Sequence, residues 1–235
     1  MAVLFLIPAP LYENVLPFNA KELLEAVQHC EALFVENERS ARRYLKLLDR
    51  TISIDAYEWH TIHKAEAAVQ QQLVALLKAG KNVGIISEAG CPAVADPGQL
   101  LVRVAHAQGA QVRPLQGPNA LLLALMASGC NGQQFAFHGY LPIDAAQRVR
   151  CIKQLEEQSA RSNTTQLFIE TPYRNNQLLQ TLLAHCQKQT RLCVAVDLTA
   201  PTEWICSKPV GMWNLQGVNL HKRPAVFVLY AGEGK

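Results

Sequence analysis

The sequence predicts an α/β protein of two domains, an amino-terminal one on a parallel sheet and a carboxyl-terminal one on a mixed sheet. Three observations carry this. Short β-rich runs alternate with longer amphipathic stretches through the first half, the pattern of parallel strands joined by crossover helices. Pro114, Gly117 and Pro118 cluster in one short segment, which divides residues 1–116 from 117–235. The last strand-like runs follow one another without helices between them, so the second sheet mixes directions.

Composition sets the outer limits. The 235 residues are 49% apolar and 17% charged, enough to bury a core, and a net charge of +3 selects no partner. Seven scattered cysteines without a C-x-x-C pair argue against a disulfide framework or zinc site and for a reducing, cytoplasmic compartment. The opening MAVLFLIPAP lacks a basic region and its apolar run stops at Pro8, so it is expected to be a buried strand, not a signal peptide. No apolar run reaches the roughly 20 residues that span a bilayer, and no membrane segment is expected.

In chain order, strands are expected at Val3–Ile7, Ala32–Val35, Ile52–Ile54, Asn82–Ile86 and Gln111–Pro114. Helices are expected around Lys21–Val27, Ala41–Leu48 and His60–Lys78, where Val69, Leu73, Leu76 and Leu77 recur at helical spacing before a stop at Gly80. Ala120–Ala127 is apolar all round, as in a helix buried at an interface. The second half continues with strands at Phe135–Phe137, Gln166–Ile169 and Leu192–Val196 and helices at Ala145–Gln158 and Asn175–Ala184. Strand-like runs at Trp204–Cys206, Val210–Trp213 and Ala225–Tyr230 close it.

The stretch SEAGCPAVADPG, residues 87–98, leaves a predicted strand with small residues and few catalytic groups. In parallel α/β sheets ligands lie beyond the carboxyl ends of strands, and small residues let backbone approach a ligand closely. Neither G-x-x-x-x-G-K-[ST] nor G-x-G-x-x-G is present, so it is not a phosphate loop. A plain strand-to-helix connection is the competing reading, with Asp96 before Pro97-Gly98 as a turn or cap residue. Glu88 and Asp96 flank the loop, and one of them is placed to face a substrate.

Other residues admit two readings. Glu170 and Arg174 frame a turn, either as a loop-holding ion pair or with Glu170 assisting proton removal. Arg39, Arg42, Arg43, Lys46 and Arg50 share a helical face, either solvated or aimed at phosphates. His60 and His63, near Glu58, do not make a metal coordination set.

SEAGCPAVADPG resembles the S-[DE]-A-G-x-P-x-[IV]-x-D-P-G signature of the ribosomal RNA small subunit methyltransferase I family, in the tetrapyrrole methylase-like superfamily. Ile7-Pro8-Ala9-Pro10, Gly117-Pro118-Asn119-Ala120, Leu167-Phe168-Ile169-Glu170-Thr171-Pro172-Tyr173-Arg174 and Leu198-Thr199 extend the likeness over the whole chain. The resemblance implies a homodimer in which S-adenosylmethionine lies in a cleft between the two domains and leaves as S-adenosylhomocysteine. It implies cofactor contacts at Pro8, Ser87, Glu88, Ala89, Gly90, Val94, Gly117, Pro118, Asn119, Ala120, Ile169, Glu170, Leu198, Pro224 and Ala225.

The implied reaction is methylation of a ribose 2′-hydroxyl in 16S ribosomal RNA, with Arg39, Arg42, Arg43 and Lys46 toward the RNA and Glu170 as the catalytic candidate. The substrate end departs most from the family. P-T-P-I-G-N becomes Pro8-Ala9-Pro10-Leu11-Tyr12-Glu13-Asn14, A-E-D-T-R becomes Val35-Glu36-Asn37-Glu38-Arg39, and R-E-L-T-K becomes Val196-Asp197-Leu198-Thr199-Ala200. The proton acceptor is sought among Glu13, Glu38, Glu170 and Asp197. Methylation of a tetrapyrrole or other small molecule, and a non-catalytic cofactor-binding dimer, stay open.

Overall fold

The computed structural model describes residues 1–13, 15–62 and 67–232, which form two compact units, Met1–Asn119 and Ala120–Lys235. In the first unit, β1 (Val3–Ile7), β2 (Ala32–Val35), β3 (Glu58–Thr61), β4 (Val83–Ile86) and β5 (Gln111–Pro114) form one parallel sheet in the order β3-β2-β4-β1-β5. Helices α1 (Ala20–Gln28), α2 (Glu38–Leu48), α3 (Ala67–Lys78) and α4 (Gln99–Ala107) supply the crossovers.

Strand side chains alternate between two cores, as a period-two backbone requires. Phe5, Ile7, Leu33, Val35 and Ile86 pack with Leu23, Val27 and Leu45 of α1 and α2. Leu4, Phe34, Val83 and Ile85 pack with Leu73, Leu77, Leu101 and Ala105 of α3 and α4. The chain leaving β1 and the chain leaving β4 therefore enter helices on opposite faces, although β1 and β4 are neighbours. That is a topological switch point, where departing loops part to leave a crevice.

Two expectations fail here. The helix expected over His60–Lys78 starts too early, because Glu58–Thr61 is the edge strand β3. Trp59 packs into the α1/α2 core while His60 stacks on Phe34 of the opposite core, 4.6 Å between ring centroids, so the stretch alternates as a strand must. Ile52–Ile54 is not a strand, and a 3-10 turn covers Ile54–Ala56. The Ile52 and Ile54 carbonyls accept from Lys46 Nζ at 2.7 Å and Trp59 Nε1 at 3.0 Å instead of joining a ladder. His63 lies outside the described residues.

The second unit opens with α5 (Ala120–Ser128) and continues with β6 (Phe135–Tyr140), α6 (Ala145–Ser162), β7 (Thr165–Ile169), α7 (Asn175–His185), β8 (Arg191–Val196), β9 (Trp204–Pro209) and β10 (Ala225–Tyr230). The strand order is β6-β7-β10-β8-β9, with β6 and β7 parallel and every other pair antiparallel. Val210–Met212, expected as a strand, is a 3-10 turn entered from Pro209. Helix α5 packs on β8, β9 and β10 through one side, and Ala124 and Leu125 are buried while Leu122 and Met126 are exposed.

The core of this unit centres on Phe168 and Phe227, both fully buried, their rings parallel with centroids 5.9 Å apart. Truncation of Phe227 leaves a cavity that rigid neighbours refill poorly. Phe227→Ala is expected to cost about 3–5 kcal/mol in denaturant unfolding; an unchanged midpoint would mean the core collapses around the gap.

Candidate functional site

At the switch point the loops after β1 and β4 are stitched together. Ala9 N–H donates to the Gly90 carbonyl and Gly90 N–H donates to the Ala9 carbonyl, both at 2.9 Å. Ser87 Oγ also donates to the Gly90 carbonyl at 2.8 Å, and Tyr44 Oη donates to the Pro8 carbonyl at 2.8 Å. A third segment closes in behind them, since Cys91 Sγ lies 3.4 Å from the Pro118 carbonyl. A Cβ built on Gly117 would meet Pro8 Cβ at 2.2 Å, so only glycine fits there.

Within the 87–98 loop Gly90 (φ 76°), Ala93 (65°), Ala95 (64°) and Gly98 (126°) all have positive φ. Any residue with a Cβ is strained in that region. Glycine at 90 and 98 therefore suits the loop's own path. The polar backbone groups of Gly90 are used within the seam, its N–H on Ala9 and its carbonyl by Ala9 and Ser87. Ala89 is exposed beside it, and Val94 is exposed further along.

Beside this loop is a cavity of about 320 Å3 lined by Pro10, Leu11, Glu13, Ser40, Tyr44 and Glu88, with Arg43 at its edge. Ser40 Oγ donates to Glu88 Oε1 at 3.2 Å, and Glu88 N–H donates to Glu36 Oε1 at 3.3 Å. Asp96 completes a three-carboxylate group. Burial, followed by the charges of Glu36 and Glu88, pushes its carboxyl up to about 7, and Glu36 is raised by burial and by Glu88. The expected capping role of Asp96 fails, because α4 takes Gly98 as its N-cap and receives no side-chain cap bond. Glu36 escaped the search for an acid or base, being some 50 residues from Glu88 in sequence; its place at the end of β2 was the available signal.

The cationic stripe of α2 divides. Lys46 Nζ donates to the Arg50 and Ile52 carbonyls at 3.0 and 2.7 Å, and Arg42 pairs with Glu38 at 2.5 Å while lying over the Trp59 ring. Both serve the helix surroundings. Arg43 reaches Glu13 at only 3.6 Å with both side chains exposed, and Arg39 is exposed without an ion pair among the described residues. Two arginines are left for an external anion.

In the second unit, register gathers the other candidates at one sheet edge. Val226 pairs with Ile169, Ala225 pairs with Val196, and Asp197 N–H donates to the Pro224 carbonyl at 2.9 Å. Ile169, Glu170, Leu198, Pro224 and Ala225 thus come together, with Leu198 and Ala225 buried and Pro224 exposed. Ala120 stands apart as the first residue of α5.

The Glu170 side chain is 1% exposed. Its Oε1 accepts from Thr171 N at 2.6 Å and from Arg174 Nε and Nη2 at 3.1 and 2.6 Å, while Oε2 is buried without a partner among the described residues. Asp197 is engaged differently: its Oδ2 accepts from Arg223 Nε at 2.7 Å and Thr202 Oγ1 at 2.9 Å, with positive φ at Asp197 and Thr199. Those bonds hold a turn, and Glu38 and Glu13 lie against arginines.

The Gly117–Pro8 approach makes a direct test. Gly117→Ala forces the switch-point segments apart and is expected to cost about 1–3 kcal/mol in urea unfolding. Gly90→Val, at φ 76°, is expected to cost at least about 1–2 kcal/mol for its left-handed backbone alone. Wild-type stability in both variants would show that the stitched loops are not rigid.

Comparison with known proteins agrees with this architecture. Residues 13–211 match the model of the Tetrapyrrole (Corrin/Porphyrin) Methylases. A protein of Escherichia coli named ribosomal RNA small subunit methyltransferase I is 28% identical over 229 residues, 96% of this chain and 77% of its own. One of the same name from Synechocystis sp. is 30% identical over 199 residues, 85% and 68% of the two chains. A crystal structure of diphthine synthase superposes with a TM-score of 0.67 over 98% of this chain and 90% of that one at 15% identity, a likeness of fold. With its switch-point loop, its mixed second sheet and a family match over most of its length, the chain belongs to the tetrapyrrole methylase family of S-adenosylmethionine-dependent methyltransferases.

Proposed function

We propose that the chain methylates a ribose 2′-hydroxyl of 16S ribosomal RNA, with S-adenosylmethionine as donor and S-adenosylhomocysteine as product. The observation that carries the reading is the left-handed small-residue loop beside the 320 Å3 cavity, in a chain whose relatives are named for small-subunit ribosomal RNA. The residues suit an adenosyl group: Ala89 is an exposed small residue next to the stitched backbone, and the orphaned Glu170 Oε2 needs a donor such as a hydroxyl or amino group.

In the first unit Pro8, Ser87, Glu88, Ala89, Gly90, Val94, Gly117, Pro118 and Asn119 would hold the cofactor, and in the second Ala120, Ile169, Glu170, Leu198, Pro224 and Ala225. The bound cofactor supplies a methyl group on a sulfonium centre. Pro10 and Leu11 keep water from the cavity, and Arg39 and Arg43 meet the phosphates on either side of the target nucleotide. Glu88, the carboxylate of the acidic group that lines the cavity, takes the proton of the attacking hydroxyl. Asp96 and Glu36, both raised first by burial and then by neighbouring carboxylates, complete the acidic group around it. Glu170, with Arg174 on one oxygen, positions; it does not accept the proton.

The active form is read as a homodimer in a reducing cytoplasm. Exposed Leu122 and Met126 on the apolar helix α5 support the first point, and seven free cysteines support the second. No described helix is long and apolar enough to cross a membrane. A small-molecule acceptor is the second reading, favoured by the internal engagement of Arg42 and Lys46, which removes half of the expected RNA-facing cations.

Isothermal titration is expected to show binding of both S-adenosylmethionine and S-adenosylhomocysteine, and mass mapping of 16S ribosomal RNA from a deletion strain is expected to lack one ribose methyl. Binding with an unchanged methylation map moves the assignment to the small-molecule reading; no binding removes both. Glu88→Gln is expected to lower kcat by about 100-fold or more, the loss of a general base.

Burial, and then the charges of Glu36 and Glu88, raise the Asp96 carboxyl to about 7. The stability sign follows from the same shift. The folded carboxyl holds its proton more tightly than the unfolded chain does, so this group lowers stability increasingly as pH rises from about 4 to 7. Asp96→Asn should accordingly raise Tm more at pH 8 than at pH 5, and an equal gain at both would show that Asp96 is not raised.

A further inference from the structure

We infer that Tyr12, Leu16 and Phe18 form a stacking platform for unpaired bases of the RNA substrate, with Arg43 and Arg39 as its phosphate contacts; the inference rests on the ribosomal RNA reading above. Phe18 is 84% exposed, Leu16 54% and Tyr12 42%, an unusual concentration of apolar surface on one short connection. Helix packing does not explain Phe18. It precedes the N-cap Asn19, where an apolar residue commonly folds back on the fourth helical residue, here Leu23. Leu23 is fully buried in the core, and Phe18 stays in solvent.

The connection is anchored near both ends. Ala9 is tied to Gly90, and Asn19 Nδ2 donates to the Gln116 carbonyl at 2.9 Å, while Ala20 N–H donates to the Pro17 carbonyl at 3.1 Å. An anchored aromatic loses little freedom when a base stacks on it. Leu11 and Glu13, on either side of Tyr12, line the cavity assigned to the target nucleotide, so Tyr12 adjoins that cavity's rim.

Charge selects the partner. Arg43 bears on Glu13 at 3.6 Å with 60% and 77% of the two side chains exposed, a loose pair that a phosphate can replace. Arg39, one turn earlier on the same helix face, is exposed as well. Exposed aromatic rings on the connection whose Glu13 bears on Arg43, with Tyr12 between two residues lining a cavity of about 320 Å3, match single-stranded RNA, whose bases stack in a sequence-tolerant way while its phosphates take the cations.

The test uses the full chain and a fluorescein-labelled single-stranded RNA carrying the small-subunit sequence around the mapped methyl, read by anisotropy. Phe18→Ala and Tyr12→Ala should each weaken binding by about tenfold, and Phe18→Trp should retain it. Arg43→Gln should reduce the slope of log affinity against log salt by about one, and Glu13→Gln should tighten binding. Titration with S-adenosylmethionine and the melting temperature of Phe18→Ala should match wild type.

RNA affinity unchanged in both aromatic variants, with wild type binding, overturns the platform alone. Weakening that tracks a change of oligomeric state in light scattering also overturns it, since the patch then covers a protein surface. A wild-type chain that does not bind the RNA overturns the ribosomal reading and the platform with it.

Discussion

Two hydrogen bonds between Ala9 and Gly90 set the geometry on which the first unit's site depends. β1 and β4 are neighbours whose chains leave in opposite directions, which by itself would open a gap lined with unpaired backbone. The bridge converts the gap into a closed seam, and the Ser87 hydroxyl and Tyr44 phenol satisfy carbonyls beside it. Once the seam is fixed, the remaining loop residues have to turn sharply, and four left-handed positions within nine residues are the result. The cavity wall and the placement of Glu88 follow from that turn.

The electrostatics follow from the same seam. Loops that end adjacent parallel strands bring their first polar residues together, and here Glu36 after β2 and Glu88 after β4 meet with Asp96 further along the loop. Three carboxylates so arranged share a proton more readily than any one of them would hold it alone. The second unit solves a related problem with the opposite charge balance. Each strand-end acid there has an arginine, Arg174 for Glu170 and Arg223 for Asp197, and the pairs act as struts.

Much of this was legible in the sequence where a local rule decides the structure. Gln111–Pro114 and Ala225–Tyr230 are strands as their alternation and composition indicate, and the loop at 87–98 declares its backbone through Gly90 and Gly98. What was not legible depends on partners remote in sequence. Lys46 reads as a phosphate ligand until the chain turns back at Ile52 and offers it two carbonyls. Asp197 reads as a free acid until β10 delivers Arg223. Glu58–Thr61 is too short for its period to be distinguished from a helix start without the cores on either side of Trp59 and His60.

Ala93 and Ala95 carry a further consequence. Glycine would adopt their left-handed angles with less strain, yet the chain has alanine at both. A methyl group there makes the folded loop dearer by the strain of a positive φ and the unfolded loop poorer in conformations. The loop consequently has fewer shapes to explore than a glycine-rich turn of equal length, and a flat polar ligand meets a surface already in its final form. Such a loop trades adaptability for a fixed backbone path.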